Sequence, residues 1–396
     1  MHIKQLLFLL FSITTLVTCT TKNTGTPDDT GLFIKLLGGS KNDMVSDAFL
    51  NEQGEVIGVG STQSFPANAF SKSSIFLFKT DKFGNKIWYK SFEGLEGVAV
   101  RPTIDGYTIF GSEETSAPVN KGLKLIKTDT NGDAKLAISL STTATTKAVS
   151  LGVLANGNYI VLGEVYIETP NIAFSTKNYT AKLSGTTGAK ITEKTYSVEG
   201  FAVNTPYAMR TMGNQKSIIA GTGNGQARLI LIDDELGVEW DYFYATHVNE
   251  TSVSFTDVQV TANGYICAGS VYGTKELPFI VKTDFAGGLQ WKKSLTMDSN
   301  VAVKSIDITQ DGGYILTGAI EIKEGENLHT NIWVGKVNST GELEWQKNFG
   351  GRKNDVGKCI KTTPTGDYAL LGNVTFETNQ MIALIRIDKN GNLIKE

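Results

Sequence analysis

The sequence predicts an all-β protein built from seven repeated four-stranded units. Three observations carry that expectation. Glycine is abundant at 42 residues while proline is scarce at 8, Thr, Val and Ile recur throughout, and one pattern returns at intervals of 48 to 58 residues. The first two favour many short strands joined by tight turns over helices. The third governs the rest, because internal repetition decides the fold before any local reading. With 396 residues, 40% hydrophobic and 19% charged, the chain also has the composition of a globular protein with a large core.

The chain opens on "MHIKQLLFLLFSITTLVTCTT": Lys4, an apolar run from Leu6 to Val17, then Cys19 and polar residues. This is the layout of a secretory signal, too short to span a bilayer. Its ending "LVTC" resembles the lipobox of bacterial lipoproteins, with Thr18 in the place of the usual small Gly, Ala or Ser. The resemblance implies that residues 1–18 are a lipoprotein signal peptide and that Cys19 becomes the lipid-carrying first residue. More than one acyl chain then gives a stable anchor where one would be marginal. Residues 19–31, polar and Pro-containing, read as a flexible tether.

The repeated domain is expected over residues 32–396. Its second strands read "VIGVGS", "YTIFGS", "YIVLGE", "SIIAGT", "YICAGS", "YILTGA" and "YALLGN", with glycines at Gly60, Gly111, Gly163, Gly221, Gly269, Gly318 and Gly372. The third-to-fourth turns recur in step, from "TDKFGNKIW" in the first unit to "DKNGNLIK" in the last. Four short strands in about fifty residues is the size of a propeller blade, and radial packing of such sheets leaves only short, protected edges. A seven-bladed β-propeller follows. The phrases "LLGGSKND" (Leu36–Asp43) and "NFGGRKND" (Asn348–Asp355) nearly coincide, so Leu32–Gly39 aligns with a fourth strand. It is expected to complete the last blade by pairing Leu32–Leu37 with Ile382–Ile387, which closes the ring. The wording of the later units, "SIDITQDGGYILTG" through "NIWVGKVNSTGELEWQKNFGG", resembles the repeats of propellers in secreted and lipid-anchored proteins of Bacteroidota-type bacteria. That resemblance implies architecture rather than a particular activity.

Chemistry-bearing motifs are sparse. A formal charge of −3 without a run of Lys or Arg leaves no footprint for nucleic acid. Beyond His2 in the signal there are only His247 and His329, and no Cys-x-x-Cys occurs, so no metal or cofactor is expected. No Gly-x-Ser-x-Gly elbow is present, and a Ser-His-Asp triad would have to use one of those two histidines. The Ala-x-Asp-x-x-Thr-Gly phrase of quinoprotein dehydrogenase propellers is lacking. "DTNGD" (Asp129–Asp133) and "DKNGN" (Asp388–Asn392) miss the glycine and terminal carboxylate positions of a calcium loop and read as hairpin turns. Trp88, Trp240, Trp291 and Trp345 fall at one position of the fourth strand, which points to packing between blades. Cys267 and Cys359, in different units, are expected to be free, buried thiols.

The second-to-third strand connections vary most and are expected to form long recognition loops. Phe65 and Phe70 in the first unit, Tyr166 and Phe174 in the third and His329 in the sixth are the candidate ligand contacts. Together these features predict a lipid-anchored module of the outer membrane, facing the periplasm or the cell surface. It would bind or scaffold an unidentified protein or glycan without catalysis. A carbohydrate-active enzyme with channel carboxylates, or an outer-membrane assembly factor, are the alternatives.

Overall fold

Twenty-eight strands pair into seven antiparallel sheets of four, set radially as blades. The computed structural model describes residues 34–115, 121–142, 144–169, 172–198, 202–244 and 252–394, and the side chains of 168, 169 and 172–174 fall outside it as well. The signal peptide, Cys19, the tether and His247 therefore lie outside the described residues, among which there is no helix. Blades 1 to 6 are continuous in sequence, at residues 43–92, 96–140, 146–196, 204–243, 252–294 and 301–349. Each runs from an inner strand on the central channel to an outer strand at the rim. Blade 7 takes three strands from residues 356–387 and its outer strand from Ile34–Leu37.

That outer strand closes the ring as expected. Ile34 lies opposite Ile385 and Leu37 opposite Ile382. Leu37 is buried in a core shared with Cys359, Leu371 and Ile382, while Leu32 and Phe33 lie outside the described residues. The two near-identical phrases fold into one turn used twice. The Gly39 N–H donates to Asp43 Oδ2 at 2.6 Å, and the Gly351 N–H donates to Asp355 Oδ2 at 3.1 Å. Gly38 and Gly350 take φ of +131° and +157°, and a Cβ at either would stand 2.7 or 2.6 Å from the aspartate it faces. Only glycine fits there.

The seven repeat glycines have one physical cause. Each lies inside a second strand, opposite the residue that precedes a β-bulge in the inner strand, as Gly60 opposes Val45 and Gly318 opposes Val303. A Cβ at Gly60, Gly269 or Gly318 would come within 1.9, 1.8 and 1.8 Å of the carbonyl oxygens of Met44, Ser254 and Ala302. The glycine lets the inner strand fold over it, and the bulge leaves one inner-strand residue unpaired per blade. These residues are Ser46, Val98, Val149, Tyr207, Thr256, Lys304 and Lys358.

Packing between blades is equally repetitive. Trp88, Trp240, Trp291 and Trp345 each meet the tyrosine that begins the second-strand motif of the next blade. Trp88–Tyr107, Trp240–Tyr265, Trp291–Tyr314 and Trp345–Tyr368 have ring centroids 6.0 to 6.3 Å apart. The next blade's turn glycine backs the indole: a Cβ at Gly132, Gly341 or Gly391 would fall 2.7 to 2.9 Å from Trp88, Trp291 or Trp345. The expected packing role of the tryptophans is therefore seen in contacts. Those same turns are held by their aspartates. Asp129 accepts from the N–H groups of Asn131 and Asp133, and Asp388 from those of Asn390 and Asn392. Cys267 and Cys359 are free and buried. Burial pushes the Cys359 thiol up to about 11, and its Sγ reaches the Ala48 carbonyl of blade 1 at 3.6 Å.

Candidate functional site at the channel mouth

An inner strand has a neighbouring blade against each face, so a side chain exposed on it meets solvent in the channel. Two levels of the channel differ sharply in charge. At the deeper level Asp47, Asp257 and Asp307 face Arg101, Arg210 and Lys361, three anions against three cations. Arg101 pairs with Asp47 and Arg210 with Asp257, the latter at 2.6 Å. The carboxylates also tie one blade to the next. Asp47 accepts from the Val100 N–H at 3.2 Å, Asp257 from the Ile306 N–H at 3.1 Å and Asp307 from the Thr362 N–H at 2.7 Å. Burial alone would raise the Asp47 carboxyl, but Arg101, Lys361 and Arg210 hold it below the ordinary range. This level is a compensated girdle that fixes blade to blade.

The upper level is built on the bulges and lies toward the face that carries the second-to-third and fourth-to-first connections. Lys304 and Lys358 occupy the bulge position in blades 6 and 7, and Lys147 stands two residues before it in blade 3. Among the described residues no ion pair holds any of the three. Burial, and then the charges of Lys304 and Lys147, keep the Lys358 ammonium below the ordinary lysine range against the pull of Glu96. Lys147 reaches Lys358 electrostatically although their blades stand on opposite sides of the ring. Glu96 and Glu164 share this level, and hydroxyls engage both. Glu96 accepts from Ser46 Oγ at 2.9 Å, and Glu164 accepts from Thr205 Oγ1 at 2.8 Å and the Tyr166 hydroxyl at 3.0 Å.

Three tyrosines complete the mouth from blades 3, 4 and 5. Tyr166, Tyr207 and Tyr272 are 37%, 44% and 38% exposed. Burial, then Glu164 and Tyr207, push the Tyr166 phenol up to about 12. Burial, then Tyr272 and Glu164, raise that of Tyr207. Tyr166 and Tyr207 thus gather around Glu164, and Tyr272 continues the arc beside Tyr207.

The expected contact residues separate in space. Tyr166 belongs to the mouth. Phe65 turns back onto its own blade, stacked on Phe76 at 5.7 Å and beside Tyr89 at 5.5 Å. Phe70 is 94% exposed on the blade 1 connection. The backbone of Phe174 is in a strand, but its side chain lies outside the described residues. His329 is buried at 6% exposure, and its Nε2 has no partner. It borders a cleft of about 650 Å³ with Glu324, Asn327, Arg352, Lys353 and Asn354, between blades 6 and 7. In blades 3 and 6 the connections expected as long loops are instead hairpin extensions: Tyr159–Thr169 with Ile172–Leu183, and Tyr314–Glu324 with Asn327–Val337. β-Branched and aromatic residues let the ladder continue past the sheet, as in the Ile320–Asn331 and Ile322–His329 pairs.

Lys147, Lys304, Lys358 and Tyr207 were not among the sequence candidates. The signal for the bulge set is a fixed offset: each bulge residue precedes its repeat glycine by 13 or 14 positions, as Tyr207 precedes Gly221.

Fold and site define a seven-bladed β-propeller with a compensated charge girdle beneath a lysine- and tyrosine-lined mouth. No protein family and no curated protein sequence matches the chain. Solved propellers do. A periplasmic gluconolactonase from Pseudomonas aeruginosa is similar at 9% identity, over 78% of this chain and 86% of that one, with a TM-score of 0.50. The β-propeller domain of the Trilobed protease from Pyrococcus furiosus matches at 11% identity, over 90% and 97%, with a TM-score of 0.48. A protein of unknown function from Dyadobacter fermentans matches at 11%, over 90% and 97%, at 0.49. At such identities the likeness is one of fold.

Proposed function

We propose that this protein is a lipid-anchored propeller of the bacterial cell envelope that binds its ligand, a glycan or a protein, at the channel mouth without turning it over. The observation that carries this reading is the division of labour in the channel. The three tyrosines of the mouth, Lys147 and Lys304 are exposed and Lys358 is partly so, whereas the carboxylates beneath are spent on bonds between blades. A glycosidase needs one carboxyl raised to act as an acid beside a second, free carboxylate. Asp47 is shifted the other way. Incubation of the purified domain with a panel of envelope and plant polysaccharides tests the reading: retention without new reducing ends is expected, and reproducible release of oligosaccharides would sink it.

The proposed anchor, and with it an outer-membrane location, is supported by Lys4, the apolar run and the "LVTC" sequence, and by the Bacteroidota-type resemblance of the repeats. Cys19→Ser should move the protein from the membrane fraction to the soluble one and abolish uptake of labelled fatty acid. Recovery of the variant in membranes at wild-type yield would remove the anchor.

A further inference from the structure

We infer that the ligand of the mouth is an acidic polysaccharide, whose carboxylates lie among Lys147, Lys304 and Lys358 while its sugar rings lie on Tyr166, Tyr207 and Tyr272. The inference rests on the binding role proposed above and names the ligand's chemistry. Its ground is the contrast between the two channel levels. Every guanidinium of the deeper level has a carboxylate partner, so the fold neutralises charge where it needs only rigidity. At the mouth the same bulge that could carry serine or valine, as in blades 1 to 3, carries lysine in two adjacent blades. Lys147 joins them from across the channel, and Glu96 and Glu164 of that level are already engaged by hydroxyls. None of the three ammoniums is held in an ion pair among the described residues, so their donors stand open to an incoming anion. Lysine ammoniums act as point charges on flexible stems and suit carboxylates presented at varied spacings along a polymer.

The aromatic arc selects among anions. Tyrosine offers an apolar face with a polar edge, and the rings are steadied by their hydroxyls, Tyr166 on Glu164 and Tyr272 among Ser254, Ser270 and Glu276. That platform fits a pyranose face. A protein partner would need an apolar anchor pocket at the centre, and the bulge positions around the mouth supply only Val98 and Val149 as apolar side chains, beside a ring, hydroxyls and charges.

Affinity electrophoresis of the wild-type domain through gels containing polygalacturonate, neutral dextran or polyglutamate tests the inference. Polygalacturonate should retard the protein, and less so as salt rises. Lys304→Gln with Lys358→Gln should weaken that binding about tenfold, Tyr207→Ala should weaken it comparably, and Lys304→Arg with Lys358→Arg should restore most of it. Unchanged melting curves establish that the variants fold. Three results overturn the inference. Absence of retardation by polygalacturonate is the first. Retardation by dextran that depends on Tyr207 is the second, and it leaves the binding role standing while removing the acidic ligand. The third is retardation by polyglutamate as strong as by polygalacturonate and insensitive to Tyr207→Ala, which marks charge alone and favours an acidic protein.

Discussion

Deletion of residues 20–37 is expected to lower the melting temperature by about 3 °C relative to deletion of residues 20–29. The shorter deletion removes only polar tether. The longer one also removes the outer strand of blade 7, with its ladder to Ile382–Ile385 and the buried Leu37. Its loss costs about four ladder hydrogen bonds at ~1 kcal/mol each, plus about 2 kcal/mol for burial of Leu37. Ordering the four residues costs ~1 kcal/mol each, so about 2 kcal/mol remains, which for a domain of this length corresponds to a shift of that size. The deletion also bares Asn379–Ile387 as a sheet edge, so aggregation on heating should increase. Scanning calorimetry of both truncations checks this, and equal melting would show that the strand does not close the ring.

The second large effect is expected at the repeat glycines. Gly318→Ala places a methyl 1.8 Å from the Ala302 carbonyl oxygen and 3.0 Å from the Val303 Cα, so the inner strand of blade 6 itself must move. A cost of about 3 kcal/mol is expected, or about 4 °C in melting temperature. Gly163→Ala should be milder, because its nearest neighbours, the Lys147 carbonyl oxygen and Thr146 Cγ2, stand at 3.0 Å. Gly213→Ala is the control. Nothing lies within 4 Å of its Cβ, and melting should be unchanged or slightly raised. Equal behaviour of all three would mean that the glycines do not build the bulges.

Architecture was legible in the sequence because the fold states it seven times. Gly60 alone is an ordinary strand glycine, but its return at Gly111 through Gly372 fixes blade length and number. Asp129 and Asp388 read correctly as turn residues because their spacing to glycine repeats, and Trp88, Trp291 and Trp345 because a ligand platform would not recur at one position of four separate outer strands. The doubled "GG" phrase betrayed ring closure because two identical connections need two identical Gly–Asp turns.

The site was far less legible, for a physical reason. Lys304 and Lys358 are single residues 54 positions apart, and their meaning arises only when two bulges turn them into one channel. Tyr166 was found through variation between units, although it sits on a strand. The same criterion picked Phe65, which the sequence could not distinguish from a contact residue because its partners Phe76 and Tyr89 are brought to it by the sheet. The hairpins of blades 3 and 6 read as loops in the sequence because their strands outrun the blade, where neither burial nor alternation marks a strand.

The claim that the channel mouth is the working face of this propeller is tested most directly by photo-crosslinking in intact cells. A photo-reactive amino acid would replace either Tyr207, in the mouth, or Ile104, fully exposed in the first-to-second strand turn of blade 2 on the opposite face. Both proteins should fold and reach the envelope in equal amounts. The mouth position is predicted to yield a discrete ligand adduct on illumination, and position 104 none; adducts from position 104 with none from 207 would contradict the account.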